Sequence, residues 1–292
     1  MRMILSQTTG CASKFGEFKA IEMIAKAGFD AIDYSMTLLL KEGHPLGTDG
    51  YKKHIGLLCE AAKKNGIYFN QAHALTNIPA ETREESDRLL LEKNKKVIEI
   101  AGLMGIKTLV VHPVGTGEYV GNEEYIFKRN MKYFRALLPY AEEYGVKLAC
   151  ENMWYKDSKA GTTRGSICSN PYEHARYVDE MGSEMFVACI DTGHCALAGR
   201  EPQDCIRVLG KRLGALHVHD NDYRDDMHTL PGLSEMNWDE ITKALADVDY
   251  KGDFNFETQH FFDSLNYEET ETGLKLAAQI GRKMIAKIEN YK

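Results

Sequence analysis

Imidazole and carboxylate side chains recur in this sequence just where short apolar runs stop. The run 67–73 (IYFNQAH) ends at His73, and 107–112 (KTLVVH) ends at His112. Run 146–151 (VKLACE) ends at Glu151 with Asn152 next, and 186–191 (FVACID) ends at Asp191, with His194 three residues on. Run 213–219 (LGALHVH) sets His217 and His219 two residues apart, and Asp226 and His228 follow it. The run 253–258 (DFNFET) carries Glu257. A lone histidine in such a place is ordinarily a hydrogen-bonded structural group, and a lone glutamate is ordinarily solvated. Gathered around one axis they pose a different problem, because each unpaired buried charge costs several kcal/mol. A divalent cation removes that cost. Two glutamates, an aspartate and a histidine converging form a hard-to-borderline oxygen and nitrogen donor set. It suits Mn²⁺, Mg²⁺, Co²⁺ or Zn²⁺ and lacks the thiolates of a structural zinc site. The chemistry this favours is proton transfer next to a carbonyl. Charge builds up on oxygen beside the cation while one carboxylate removes a carbon-bound proton, and another group returns it to the same or the neighbouring carbon.

Those residues need a scaffold that brings strand ends together. Eight apolar runs are strand-like: 3–6, 31–35, 67–73, 107–112, 146–151, 186–191, 213–219 and 253–258. Near-continuous apolarity is expected of strands covered on both faces. Helical patterns lie between them. Ile55, Leu58, Cys59 and Ala62 share one face, as do Met131, Phe134, Leu138 and Ala141. Segments 85–104 and 267–288 are amphipathic as well. Gly28, Gly66, Gly105 and Gly145 each stand where a helix would stop, and an apolar residue follows to begin a strand. Eight β-then-α units without a linker predict an α/β fold, a (β/α)8 TIM barrel forming a single domain over 1–292. A doubly wound open sheet is the alternative, but its G-x-G-x-x-G after the first strand is absent. In a barrel the active site lies at the C-terminal ends of the strands, where the imidazoles and carboxylates fall. Two long connections, 152–170 and 219–237, rise from the same face and are expected to form a lid or substrate wall. Trp154 in the first is suited to packing on a sugar ring.

Composition narrows the function classes. The 292 residues are 43% hydrophobic and 27% charged, which is ordinary globular composition. A net charge of −7 gives no support for a nucleic-acid partner. The seven cysteines include no C-x-x-C pair, which points to a reducing, cytoplasmic compartment. The N-terminal residues lack a signal-peptide core, and no apolar run approaches the ~18 residues of a membrane span. Lys107 and Lys147 begin their strands, the wrong end for a Schiff base. No P-loop or G-x-S-x-G elbow occurs, and no organic cofactor is expected.

The motifs CENMW, CIDTGH, HVHD and NFET, in this order on the last four strands, resemble the xylose-isomerase-like TIM-barrel superfamily. It contains sugar isomerases and epimerases, inosose dehydratase and the DNA-repair enzyme endonuclease IV. The resemblance covers essentially the whole chain, and SKFGEFKAIEMIAKAGFDAIDYS looks like the sugar-enzyme branch. By resemblance to the ketose 3-epimerases, Glu151, Asp191, His217 and Glu257 hold one divalent metal ion, and Glu151 and Glu257 are also the proton-transferring catalytic pair. His194 is implied as a substrate contact. That branch has an arginine six residues past the metal histidine, where this chain has Tyr223 with Arg224 beside it. The endonuclease IV branch binds three zinc ions with nine residues. Their chemical matches here are His73, His112, Glu151, Asp191, His194, His217, Asp226, His228 and Glu257. Its HLNDSK is replaced here by HVHDND, and the spacing to Asp226 and His228 is shorter.

The expectation is therefore one divalent ion, with His112, Asp226 and His228 as candidate ligands of a second. Substrate contacts are assigned to His194, His73, His112, His228, Trp154 and Arg224. The expected function is a metal-dependent isomerase or epimerase of a small sugar, keto-sugar or polyol. A lyase of the inosose dehydratase type is the alternative on the same scaffold, and a nuclease ranks below both. A binding module without turnover is disfavoured by the intact ligand set. The expected partner is a small molecule, with no nucleic acid and no membrane. A homo-oligomer stays open, with no interface motif to fix its number.

Overall fold

A computed structural model describes residues 2–115, 119–157 and 161–292. The strands are β1 (Leu5–Thr8), β2 (Ala31–Ser35), β3 (Tyr68–His73), β4 (Thr108–Val111), β5 (Lys147–Glu151), β6 (Trp154–Asp157), β7 (Thr162–Gly165), β8 (Phe186–Asp191), β9 (Leu213–His217) and β10 (Phe254–Phe256). Eight of them form one sheet in the order β10-β1-β2-β3-β4-β5-β8-β9, and every pairing in it is parallel. The ring closes between β9 and β10 through Val218. Its N–H donates to the Asn255 carbonyl (2.8 Å), and its own carbonyl accepts from Glu257 N–H (3.1 Å). The expected single (β/α)8 barrel is thus the observed architecture.

The helices are α1 (Glu17–Ala27), α2 (Tyr51–Lys64), α3 (Arg83–Leu103), α4 (Glu123–Tyr144), α5 (Pro171–Met181), α6 (Thr192–Leu197), α7 (Pro202–Leu209), α8 (Trp238–Asp247) and α9 (Tyr267–Asn290). Local signals set their ends. Thr82 caps α3 by accepting from Glu85 N–H, and Asn266 and Glu269 form a reciprocal capping box on α9. Gly28 (φ 96°) and Gly145 (φ 66°) stop α1 and α4 in the left-handed conformation that glycine tolerates. No helix of the described residues is long and apolar enough to cross a membrane.

Strand alternation sorts the side chains. Residues facing outward join one large core beneath the helices, with Phe134, Leu148, Cys150 and Ile285 among its members. Residues facing the barrel axis build a small separate cluster of Val110, Ala149, Cys189 and Ala215. Two residues further along the same face come His112, Glu151, Asp191 and His217, so that small apolar floor sets the height at which the polar groups begin. Beside it lies a polar layer. Asp33 accepts from Gln71 (2.9 Å) and Asn255 (2.8 Å), and Ser6 donates to Asn255 (2.7 Å).

The first strand starts two residues later than the run 3–6 suggested, and the seventh and eighth are shorter than 213–219 and 253–258. Beyond His217 the side chain of Thr192 replaces the ladder. Its hydroxyl accepts from His219 N–H (3.1 Å) and bonds the His219 carbonyl (2.8 Å). Of the two long connections, 152–170 contains the antiparallel hairpin β6–β7, with 158–160 outside the described residues. The connection 219–237 is wound around buried Asp220, whose carboxylate accepts from Gly232, Ser234 and Met236 N–H and from Trp238 Nε1.

Candidate active site

Glu151 is the hub of the polar rim. Its Oε1 accepts from His217 Nδ1 (2.9 Å), and its Oε2 lies 2.7 Å from His112 Nε2. His73 Nε2 is 3.1 Å from His112 Nε2. Glu257, just past β10, brings Oε2 to 3.3 Å from His217 Nδ1. Two donor groups result, His73–His112–Glu151 and His73–His217–Glu257, each with its ligand atoms within 4.8 Å of one another. Asp226 and His228 meet His194 in a third such group. Within it Asp226 Oδ2 is 3.2 Å from His228 Nε2 and 3.9 Å from His194 Nε2.

Asp191 caps α6 by accepting from His194 N–H (2.7 Å), and its Oδ1 lies 3.0 Å from His219 Nε2. The carboxylate is therefore held from two sides. Gly193 makes this possible, since a Cβ there would overlap the His219 ring. Three other imidazoles are oriented by backbone. His73, His194 and His228 set Nδ1 against the carbonyls of Ala74 (2.9 Å), Asn152 (2.9 Å) and Glu257 (2.8 Å). A carbonyl only accepts, so each Nδ1 carries a proton and each Nε2 is turned towards the rim, that of His228 meeting the Asp226 carboxylate. A ring anchored in this way presents Nε2 to a metal or substrate.

Electrostatics reinforce the picture. Burial alone would push the Glu151 carboxyl up, but His217 and His112 hold it well below the carboxylate range. Burial would push His217 down, and the charges of Glu257 and Glu151 raise it well above an ordinary imidazole. His112 is lowered, with burial outweighing Glu151. For Asp191, burial is outweighed by His194 and His219, and its carboxyl falls. His217 Nε2 and Asp226 Oδ1 are nevertheless buried without a hydrogen-bond partner among the described residues. Orphaned polar atoms within a cluster of carboxylates and imidazoles fit a divalent cation, the counter-charge this oxygen and nitrogen set needs.

A cavity of about 360 Å³ opens above these groups. Its wall includes Glu151, Glu257, His194 and His228, together with Thr8, Ser35, Thr37 and Gln259. Hydroxyls, an amide and carboxylates in one wall suit a small polyhydroxylated ligand. Next to it a cavity of about 320 Å³ shares Gly10, Ser35 and Thr37 and extends to Lys41 and His44.

A family model described as "Xylose isomerase-like TIM barrel" matches residues 21–283. The chain belongs to that family. Among relatives, it is similar to an uncharacterized protein of Methanocaldococcus jannaschii, 27% identical over 194 residues, which cover 65% of this chain and 64% of that one. The chain thus spans under two thirds of that relative's length. It is also similar to a D-psicose 3-epimerase of Enterocloster bolteae, 26% identical over 252 residues, 82% of this chain and 75% of the relative. Among solved structures, a D-tagatose 3-epimerase-like protein superposes with a TM-score of 0.74 at 23% identity, covering 98% of this chain and 100% of the other. At that identity the likeness speaks for the fold alone.

Within this xylose isomerase-like barrel, His73, His112, Glu151, His194, His217, Asp226, His228 and Glu257 come together as one rim. His112, expected beside Asp226 and His228, meets His73 and Glu151, and His194 completes the Asp226–His228 group. Trp154 and Arg224 do not line the cavity. Trp154 is half-buried in β6 with its ring 6.4 Å from that of His194, and Arg224 is exposed. Sequence reasoning missed Asp33, whose Oδ2 lies 3.5 Å from His217 Nε2. An aspartate inside the apolar strand AIDYS was the available signal. It also missed Glu17, whose Oε2 is 3.0 Å from Nε2 of both His44 and His54.

Proposed function

We propose that this barrel is a divalent-metal-dependent epimerase or isomerase of a small ketose, keto-sugar or polyol. Glu151, Asp191, His217 and Glu257 would hold the ion. When bound, it supplies Lewis-acid stabilisation of the charge that develops on substrate oxygen. The observation that carries the reading is that Glu151 and Glu257 reach the same nitrogen of His217, at 2.9 and 3.3 Å, from β5 and β10. Two carboxylates arriving from different strands can serve opposite faces of one carbon. One removes the proton beside the carbonyl and the other delivers a proton from the far side, which inverts that carbon. Delivery to the neighbouring carbon gives an isomerase instead. His217 Nδ1, within reach of both glutamates, fixes the two carboxylates relative to each other. His194 and His228 orient hydroxyls through their inward Nε2 atoms, and Thr8, Ser35 and Thr37 complete the polar wall. The resemblance to a D-psicose 3-epimerase supports epimerisation over loss of water.

The test is solvent deuterium incorporation into a panel of ketoses, inososes and keto-sugars with manganese-loaded protein. Glu151→Gln and Glu257→Gln should each reduce exchange by at least 10³-fold, within the span general acid–base catalysis contributes, ~10²–10⁴. Exchange at the wild-type rate in both variants overturns the reading.

A further inference from the structure

We propose that Cys150, Cys168 and His174 form a second metal site, separate from the rim and thiophilic, that takes Zn²⁺. Strand alternation puts Glu151 inside the barrel and therefore turns its neighbour Cys150 outward, under the helices. There Cys150 Sγ and Cys168 Sγ lie 3.5 Å apart. Both sulfurs and a ring nitrogen of His174 are within 4.8 Å of one another, and all three residues are buried. Two sulfurs on one tetrahedral zinc, each ~2.3 Å from the ion, stand ~3.8 Å apart. A disulfide would hold them at ~2.05 Å.

The histidine decides between a metal site and a mere thiol pair. His174 Nε2 is 2.8 Å from the Cys150 carbonyl oxygen, so Nε2 carries the proton and donates it. Nδ1 is then a lone pair, and it is buried with no hydrogen-bond partner among the described residues. Burial holds this imidazole at about 4, so the ring is neutral and its lone pair is free. An imidazole anchored through one nitrogen on a carbonyl, with the other nitrogen bare, has the orientation of a metal ligand. A disulfide would leave that nitrogen as bare as before.

The surroundings fit. Cys168 adopts φ 62°, a conformation rarely taken by a side chain with a Cβ, and its N–H is held by Glu173 Oε2 at 3.0 Å. Glu173 Oε1 is also buried without a partner among the described residues and offers a further oxygen. Two thiolates and a neutral imidazole around a divalent ion sum to zero charge, which suits a site beneath helices. Burial keeps the Cys168 thiol protonated in the absence of metal. Binding replaces the S–H bonds of the two cysteines with Zn–S bonds, and the displaced protons pass to solvent. Sulfur donors here and oxygen donors at the rim separate the two sites by softness.

The experiment is a Co²⁺ titration of the reduced, metal-stripped full-length protein, followed in the near ultraviolet. Thiolate bound to cobalt gives a charge-transfer band there, and the rim donors give none. One equivalent of band is expected, unchanged in Glu151→Gln and in Cys205→Ser, abolished in Cys168→Ser and displaced by Zn²⁺. No band at saturating Co²⁺ in the wild-type protein overturns the proposal, whether or not Cys168→Ser folds. So does a band that survives in folded Cys168→Ser or disappears in Cys205→Ser.

Discussion

Gly193→Ala isolates the device that aims Asp191. Gly193 lies in α6 with a negative φ, so alanine is sterically acceptable to its backbone. On backbone grounds alone the change should stabilise the protein by about 0.4–1 kcal/mol. The new Cβ, however, meets the His219 ring. That ring cannot retreat easily. Its Nε2 is held by Asp191 at 3.0 Å and its backbone N–H by Thr192 at 3.1 Å, and it is fully buried. Forcing one methyl into such a core costs roughly 1–3 kcal/mol, so the clash should win by up to about 2.6 kcal/mol net. Losing the histidine partner of a ligating carboxylate typically weakens metal binding ~10–100-fold. The assays are urea denaturation of the metal-free protein and Mn²⁺ titration of the native one. His219→Ala made in the Gly193→Ala background removes the overlap, so the double variant should be more stable than the two single losses added together. If Gly193→Ala is as stable as wild type and binds Mn²⁺ equally well, the account of how Asp191 is held is wrong.

Two further outcomes follow from buried carboxylates and imidazoles. Asp220→Ala strips the acceptor from three backbone N–H groups and the Trp238 indole, and should cost about 3–5 kcal/mol by urea denaturation; a loss below 1 kcal/mol would show that the connection 219–237 is not organised by it. In metal-free protein, burial would lower His228, but the Asp226 hydrogen bond and the Glu257 charge raise it from 6.5 to about 10. A raised imidazole contributes its full stability below pH 6.5 and loses it as pH climbs towards 10. The stability gap between wild type and His228→Gln should therefore narrow over that interval, and a gap independent of pH contradicts the assignment.

Much of this could be read from the chain because barrel geometry converts a linear rule into a site. A polar residue ending an apolar run lies on the axis-facing side only if it keeps the two-residue beat of the small residues before it. Ala149–Glu151, Cys189–Asp191 and Ala215–His217 all keep it. What escaped notice depended on side chains crossing between elements. Asp33 looked like an ordinary strand residue until Gln71 and Asn255 reached it from β3 and β10. Glu17, His44 and His54 are separated by up to 37 residues and lie in α1, in the connection after β2 and in α2, so no local pattern announced their meeting. Trp154 was tied by type to a sugar ring, whereas the register of β6 against β7 sets it opposite Gly165, away from the cavity wall.

The join between β9 and β10 is the slenderest in the ring, a single bridge at Val218 and Phe256. His217 stands on one side of it and Glu257 on the other, 3.3 Å apart. An ion gripped by both residues would act as a rivet across that gap. Loading the centre and fastening the barrel then become one equilibrium, and a chelator would loosen the whole cylinder at its last stave before it reached any other part of the wall.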